Sequence, residues 1–89
     1  MRIEFDSAKD KQNFDKHGLR FEDVEYLDWD TALYRIDDRS EYGEERFVAY
    51  VLKRARLYVV CFTVRGAVTR VFSYRKANKR EEIYYAEKT

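Results

Sequence analysis

Residues 46–76 read RFVAYVLKRARLYVVCFTVRGAVTRVFSYRK, and this stretch decides the fold. Phe47–Leu52 and Leu57–Val64 are rich in β-branched and aromatic side chains, the composition of half-buried strands. The KRAR between them suits a tight connection, Arg65-Gly66-Ala67 reads as a second hairpin turn, and Val68–Tyr74 reads as the last strand. Three consecutive strands on short loops predict an antiparallel meander. Strict alternation in the last strand would send Val68, Arg70, Phe72 and Tyr74 one way and Thr69, Val71, Ser73 and Arg75 the other. Both sets mix apolar and polar residues, so alternation alone names no core face.

Upstream, Ala32–Ile36 is a further strand, followed by a polar turn over Asp37–Gly43. The N-terminal RIEF of residues 2–5 alternates and is short, as an edge strand would be. Ser7 with Asp10 three residues later resembles a capping box, which predicts a helix over 8–17 with Gly18 as its left-handed cap. Phe21, Val24 and Leu27 then recur at helical spacing, predicting a second short helix over 21–28 whose cap position holds Arg20, a poor capping residue. Downstream, Asn78-Lys79-Arg80-Glu81 places an N-cap before a Glu at the third helical position and opens a helix over about 79–88. The order is β-α-α-β-β-β-β-α: a single α+β domain over residues 1–89, a mostly antiparallel sheet with helices packed on one side.

Composition narrows the functional classes. The 89 residues include no proline and three glycines, so loops are short and no segment reads as a flexible linker. Cys61, the single cysteine, lies in the apolar run LYVVCFTV, which predicts a buried strand position rather than a reactive thiol. With no apolar run of membrane-spanning or signal-peptide length, the expectation is a soluble, cytoplasmic protein.

The net charge of +1 conceals a segregation. Residues 22–45 carry ten acids against two bases, whereas residues 46–80 carry ten bases and no acid. An acid-free basic stretch is the footprint of a polyanion binder, although acidic and basic segments of one fold can also neutralise each other. Charge alone serves both readings equally. The acids at Asp28, Asp30, Asp37 and Asp38 match no regular ligand loop and read as a solvated face, so no metal or other cofactor is expected.

Three blocks carry a family resemblance. The first is Glu4-Phe5-Asp6-Ser-Ala-Lys9, then Asn13, Lys16-His17-Gly18-Leu19 and Phe21-Glu22. The second is Gly43-Glu44-Glu45-Arg46. The third is Arg70-Val-Phe-Ser73-Tyr-Arg75-Lys76-Ala77-Asn-Lys79-Arg80-Glu81 with Tyr84 or Tyr85 after it. In order and spacing they resemble the BrnT family of toxins. The resemblance implies a RelE-like fold and a ribonuclease that shuts down translation. It also implies neutralisation by a BrnA-like antitoxin carrying a ribbon-helix-helix DNA-binding domain, through which operator DNA is bound. Two departures stand out: Arg20 replaces a usual serine, and Tyr74 replaces a usual small residue.

Metal-free RNA cleavage needs a base for the 2′-hydroxyl, cations for the crowded phosphorane and an acid for the leaving 5′-oxygen. One histidine excludes a two-histidine mechanism, and related toxins use Arg/Lys/Tyr sets. Arg70, Arg75 and Arg80 are natural phosphate clamps. Lys76, crowded by like charges, would be the base; Tyr84 or Tyr85 would be the acid, and the product would be a 2′,3′-cyclic phosphate. Arg46, Arg65, Lys79 and Tyr74 would bind RNA, Tyr74 by stacking as Phe72 also can. His17 and Glu45 are secondary candidates: His17 equally suits a helix C-terminus, and Glu45 an ion pair with Arg46. The same basic stretch would also serve a non-catalytic nucleic-acid-binding module or a pure interaction domain.

Overall fold

The structure, a computed structural model, describes residues 1–37 and 43–89. Five strands form one sheet: β1 (Arg2–Glu4), β2 (Asp28–Asp37), β3 (Arg46–Lys53), β4 (Arg56–Arg65) and β5 (Val68–Lys76). Helix α1 (Ser7–His17) and a 3-10 helix (Phe21–Tyr26) follow β1, and α2 (Lys79–Lys88) ends the chain. The spatial order is β1-β5-β4-β3-β2, antiparallel throughout except where β1 runs parallel to β5. The α+β class and the element order are as the sequence predicts; the expected turn over Asp37–Gly43 lies largely outside the described residues.

Alternation along β3 and β4 gives the sheet two buried faces. On the first face, Ala49, Val51, Val60, Phe62, Val71 and Tyr74 pack with Phe21, Val24 and Leu27 of the 3-10 segment. On the second, Val48, Tyr50, Leu57 and Val59 form a smaller cluster, joined by Tyr84 and Tyr85 of α2. The 3-10 helix therefore covers the first face, and α2 reaches the second. Complete burial of Phe21, Val24, Val51 and Val60 stabilises the fold by about 1.5–3 kcal/mol per side chain.

Local differences from the sequence reading have physical causes. Of the helix expected over 21–28, residues 21–26 form a 3-10 rather than an α-helix and Asp28 already opens β2; Phe21, Val24 and Leu27 recur every third residue, the period of that tighter turn. The cap of α1 is Asp6, which accepts from the Ala8 N–H at 2.9 Å, and not Ser7. Asp10, expected in that cap, accepts instead from the Phe21 N–H at 2.8 Å and faces Arg20, so it ties α1 to the 3-10 segment. Gly18 does end α1 in the left-handed region, at φ 72°. The capping box of α2 forms as expected, between Asn78 and Glu81. Cys61 sits half-buried in β4 against the second-face cluster.

Strand β5 departs from strict alternation at one point. Cys61 pairs with Ser73 and Phe62 with Val71, so Phe72 is an extra residue, a β-bulge. The bulge lets Val71 and Tyr74, three residues apart, face the same core.

Candidate functional site

The second face carries the polar chemistry, and its register can be read strand by strand. One row runs Arg35, Val48, Cys61, Ser73 across four strands; the next runs Leu33, Tyr50, Val59, Arg75. Arg70 lies opposite Thr63, farther along the same side. Without the bulge, Arg70 and Arg75 would point to opposite faces; the extra residue puts them on one. Strict alternation separated these two arginines, and the structure unites them.

Helix α1 builds the outer wall of this face. Strand β1 pairs with β5 only over Val68–Arg70, which leaves the rest of that edge open. Asn13 takes the place of a strand there. Its side chain donates to the Tyr74 carbonyl at 2.8 Å and accepts from the Tyr74 N–H at 3.1 Å, while also donating to the Leu19 carbonyl. Asn13 is accordingly buried, at 8% exposure, with its polar groups partnered.

This docking opens two adjoining depressions between α1 and the sheet. Glu44, Arg46, Thr63, Arg65, Arg70 and Phe72 line the first, with Asp6 and Lys9 at its rim. Lys9, Gln12, Lys16, His17, Arg46, Phe72 and Ser73 line the second. Lys9, Arg46 and Phe72 belong to both. The Arg46 guanidinium lies over the Phe72 ring, 4.7 Å from its centre. A third depression, at the α2 end, holds Arg35, Tyr50, Arg80, Glu81 and Tyr84.

Several cations here are already partnered. Arg65 makes a two-pronged pair with Glu44 at 2.8 and 2.9 Å, and Arg70 bonds Glu4. Arg75 grips both oxygens of Glu81 at 2.8 Å, and Glu81 also accepts from the Asn78 N–H. The Arg75 bond holds the Glu81 carboxyl below the usual carboxylate range and raises the guanidinium in turn. The Arg65 bond likewise lowers Glu44 and raises Arg65. Among the described residues, no carboxylate pairs with Lys9, Lys16 or Arg46. His17 titrates below the ordinary imidazole range, chiefly through desolvation, then through the charges of Lys16 and Arg75. The shift favours the neutral form of the imidazole.

The sequence-derived candidates divide. Arg46, Arg65, Arg70 and His17 line the α1 cleft, and Arg75 lies on the same face close enough to act on His17. Arg80 and Tyr84 gather in the third depression, where the Tyr84 ring lies 5.4 Å from that of Tyr50. Tyr85 donates instead to the Thr31 carbonyl at 2.6 Å. Lys79 is exposed on the first turn of α2, and Glu45 is exposed before β3. Two expectations of position fail. Lys76 pairs in register with Tyr58, a first-face residue, so it turns away from Arg75. Tyr74, expected beside a nucleic acid, is 3% exposed in the core, its hydroxyl pushed up to about 12 by burial. Its ring packs in the first-face core, 5.5 Å from that of Tyr58, and is not available for stacking.

Sequence reasoning missed Lys9, Gln12 and Lys16, along with Arg35 and Ser73. A signal for the first three existed: Lys9, Gln12 and Lys16 recur along one stripe of α1, at the spacing that aligns a helix face.

A family model described as the ribonuclease toxin BrnT, of type II toxin–antitoxin systems, matches residues 5–81. No curated protein sequence matches the chain.

Proposed function

Since the chain belongs to the BrnT family of type II toxin–antitoxin ribonuclease toxins, we propose that it cleaves RNA in the cleft between α1 and the second face of the sheet. The family match carries the ribonuclease reading; the meeting of His17, Arg46, Ser73 and Lys16 in one depression supports this location for the chemistry. In the cytoplasm, cleavage of RNA inhibits translation and arrests growth.

The reaction is a metal-independent transesterification. The neutral His17 imidazole takes the proton of a 2′-hydroxyl, and the 2′-oxygen attacks the adjacent phosphorus. Arg46, with Arg70 and Arg75 on the same face, stabilises the charge of the phosphorane. The bond to the 5′-oxygen breaks, Lys16 supplies that oxygen's proton, and the products are a 2′,3′-cyclic phosphate and a free 5′-hydroxyl. His17 replaces Lys76 as the base because Lys76 leaves this face of the sheet. Arg35, Arg80 and Tyr84 continue the same face and hold the neighbouring phosphate, with Lys79 at its outer rim and Arg65 at the opposite end.

The toxin is held inactive by a protein antitoxin of the BrnA kind, whose ribbon-helix-helix domain carries the complex to operator DNA. Incubation of the purified protein with end-labelled RNA tests the reading. Cleavage to cyclic-phosphate ends, unaffected by chelator, is the expected result. Intact RNA, together with unimpaired growth of cells producing the protein alone, would defeat the toxin reading; loss of cleavage on chelation would overturn only the metal-free mechanism.

A further inference from the structure

Phe72 is a half-buried aromatic residue that the packing of the sheet does not require. It is the extra residue of the β5 bulge, without a cross-strand partner, and its ring belongs to neither buried cluster. The bulge delivers that ring to the floor shared by the two depressions of the α1 cleft, where the Arg46 guanidinium lies over it. Lys9 stands at the wall of both depressions and Lys16 at one. Stacked cation and ring, flanked by ammonium groups that make no salt bridge among the described residues, are the components of a single-strand binding site: a platform for a base, and charges for the backbone beside it.

We propose that the Arg46–Phe72 pair is a base-stacking platform, and that the ligand of this cleft is single-stranded RNA with one unpaired base laid on that platform. This rests on the nucleic-acid reading of the site and adds to it a demand on the substrate. A base inside a helix has both faces covered by its neighbours, so duplex RNA cannot use the platform. Stacking is tolerant of base identity, so the preference it creates is for an unpaired base over none, and for purines over pyrimidines by their larger area.

The test measures binding of a fluorescent, non-cleavable 2′-O-methyl oligomer of about eight nucleotides to the intact protein. Wild type is compared on the oligomer and on versions carrying one abasic residue at each position in turn. One abasic position is expected to weaken binding about tenfold, the effect of one lost stacked base. Phe72→Leu, which keeps an apolar side chain there, should weaken the complete oligomer by a similar factor and lose almost nothing more on the abasic one. Phe72→Trp should retain base-dependent binding. Equal binding of every abasic oligomer by wild type would overturn the platform without recourse to any variant. So would a Phe72→Leu protein, with an unchanged melting temperature, that binds the complete oligomer as wild type does. The two proposals separate cleanly. Base-dependent binding without cleavage of ordinary RNA supports the platform and defeats the ribonuclease; cleavage with no base dependence does the reverse.

Discussion

At the scale of single residues, His17 and Lys76 make the sharpest comparison. Both are basic groups within family motifs, yet one faces the cleft and the other turns to the opposite side of the sheet. His17→Gln should lower kcat for RNA cleavage by about 10²–10⁴-fold with the melting temperature preserved, as loss of a general base does. Lys76→Ala should leave kcat within a few-fold of wild type, and single-turnover cleavage by both variants checks the pair. Because desolvation and neighbouring cations lower the His17 pKa, the acidic limb of the kcat profile should fall below the usual imidazole range. Glu81 governs a different pH dependence. Its folded-state pKa is depressed by Arg75, so its stabilisation is present above the ordinary carboxylate pKa and is lost as pH falls through the lowered value. Glu81→Gln should therefore show a flatter decline of melting temperature between pH 5 and pH 3, on the order of the carboxylate titration range.

At the scale of elements, the sequence disclosed what depends on neighbours in the chain. Gly18 after α1, and Asn78 with Glu81 before α2, are cap signals completed within four residues, and both were legible. The 3-10 character of residues 21–26 was written in its three-residue spacing, although a helical template reads the same residues. What stayed hidden depends on partners far along the chain. The β5 bulge is a mismatch with β4, so no inspection of β5 alone could unite Arg70 with Arg75. The docking of α1 hangs on Asn13 and the Tyr74 backbone, 61 positions apart. Asn13→Leu keeps the size of the side chain and removes all three of its bonds, leaving the N–H and C=O of Tyr74 and the carbonyl of Leu19 without that partner. The expected loss is about 1–3 kcal/mol for each orphaned group, read by urea denaturation. Activity should fall alongside stability, since α1 carries His17 and Lys16 into the cleft.

At the scale of the whole molecule, the segregation of charge along the chain becomes a segregation in space only in part. The acid-free stretch of residues 46–80 supplies Arg46, Arg70 and Arg75 to the second face, but acids from elsewhere meet several of them: Glu4 at Arg70, Glu44 at Arg65, Glu81 at Arg75. Counting bases in the sequence thus overstates the free positive charge. It also missed the lysines of α1, which stand in a segment of nearly balanced charge. Lys9, Lys16 and Arg46 carry no salt bridge among the described residues, so the α1 cleft by itself should neutralise about three phosphates. The logarithm of the RNA association constant should then fall with the logarithm of salt at a slope of about −2. A slope of about −4 in fluorescence titrations would mean that the paired arginines Arg65, Arg70 and Arg75 release their carboxylates on binding. No helix of the described residues is long and apolar enough to cross a membrane.

Among the described residues one side of β2 has no neighbouring strand, and Tyr34 and Ile36 remain more than half exposed there. Apart from carbonyls such as that of Thr31, which Tyr85 reaches, backbone groups along that border have no strand partner among the described residues, so at high concentration they offer a template to which an extended segment of another chain can add in register. Overproduction of the isolated protein therefore carries a hazard of self-association that is separate from its chemistry. A lysine at position 36 should raise the concentration at which light scattering appears, while the opposite face continues to work unchanged.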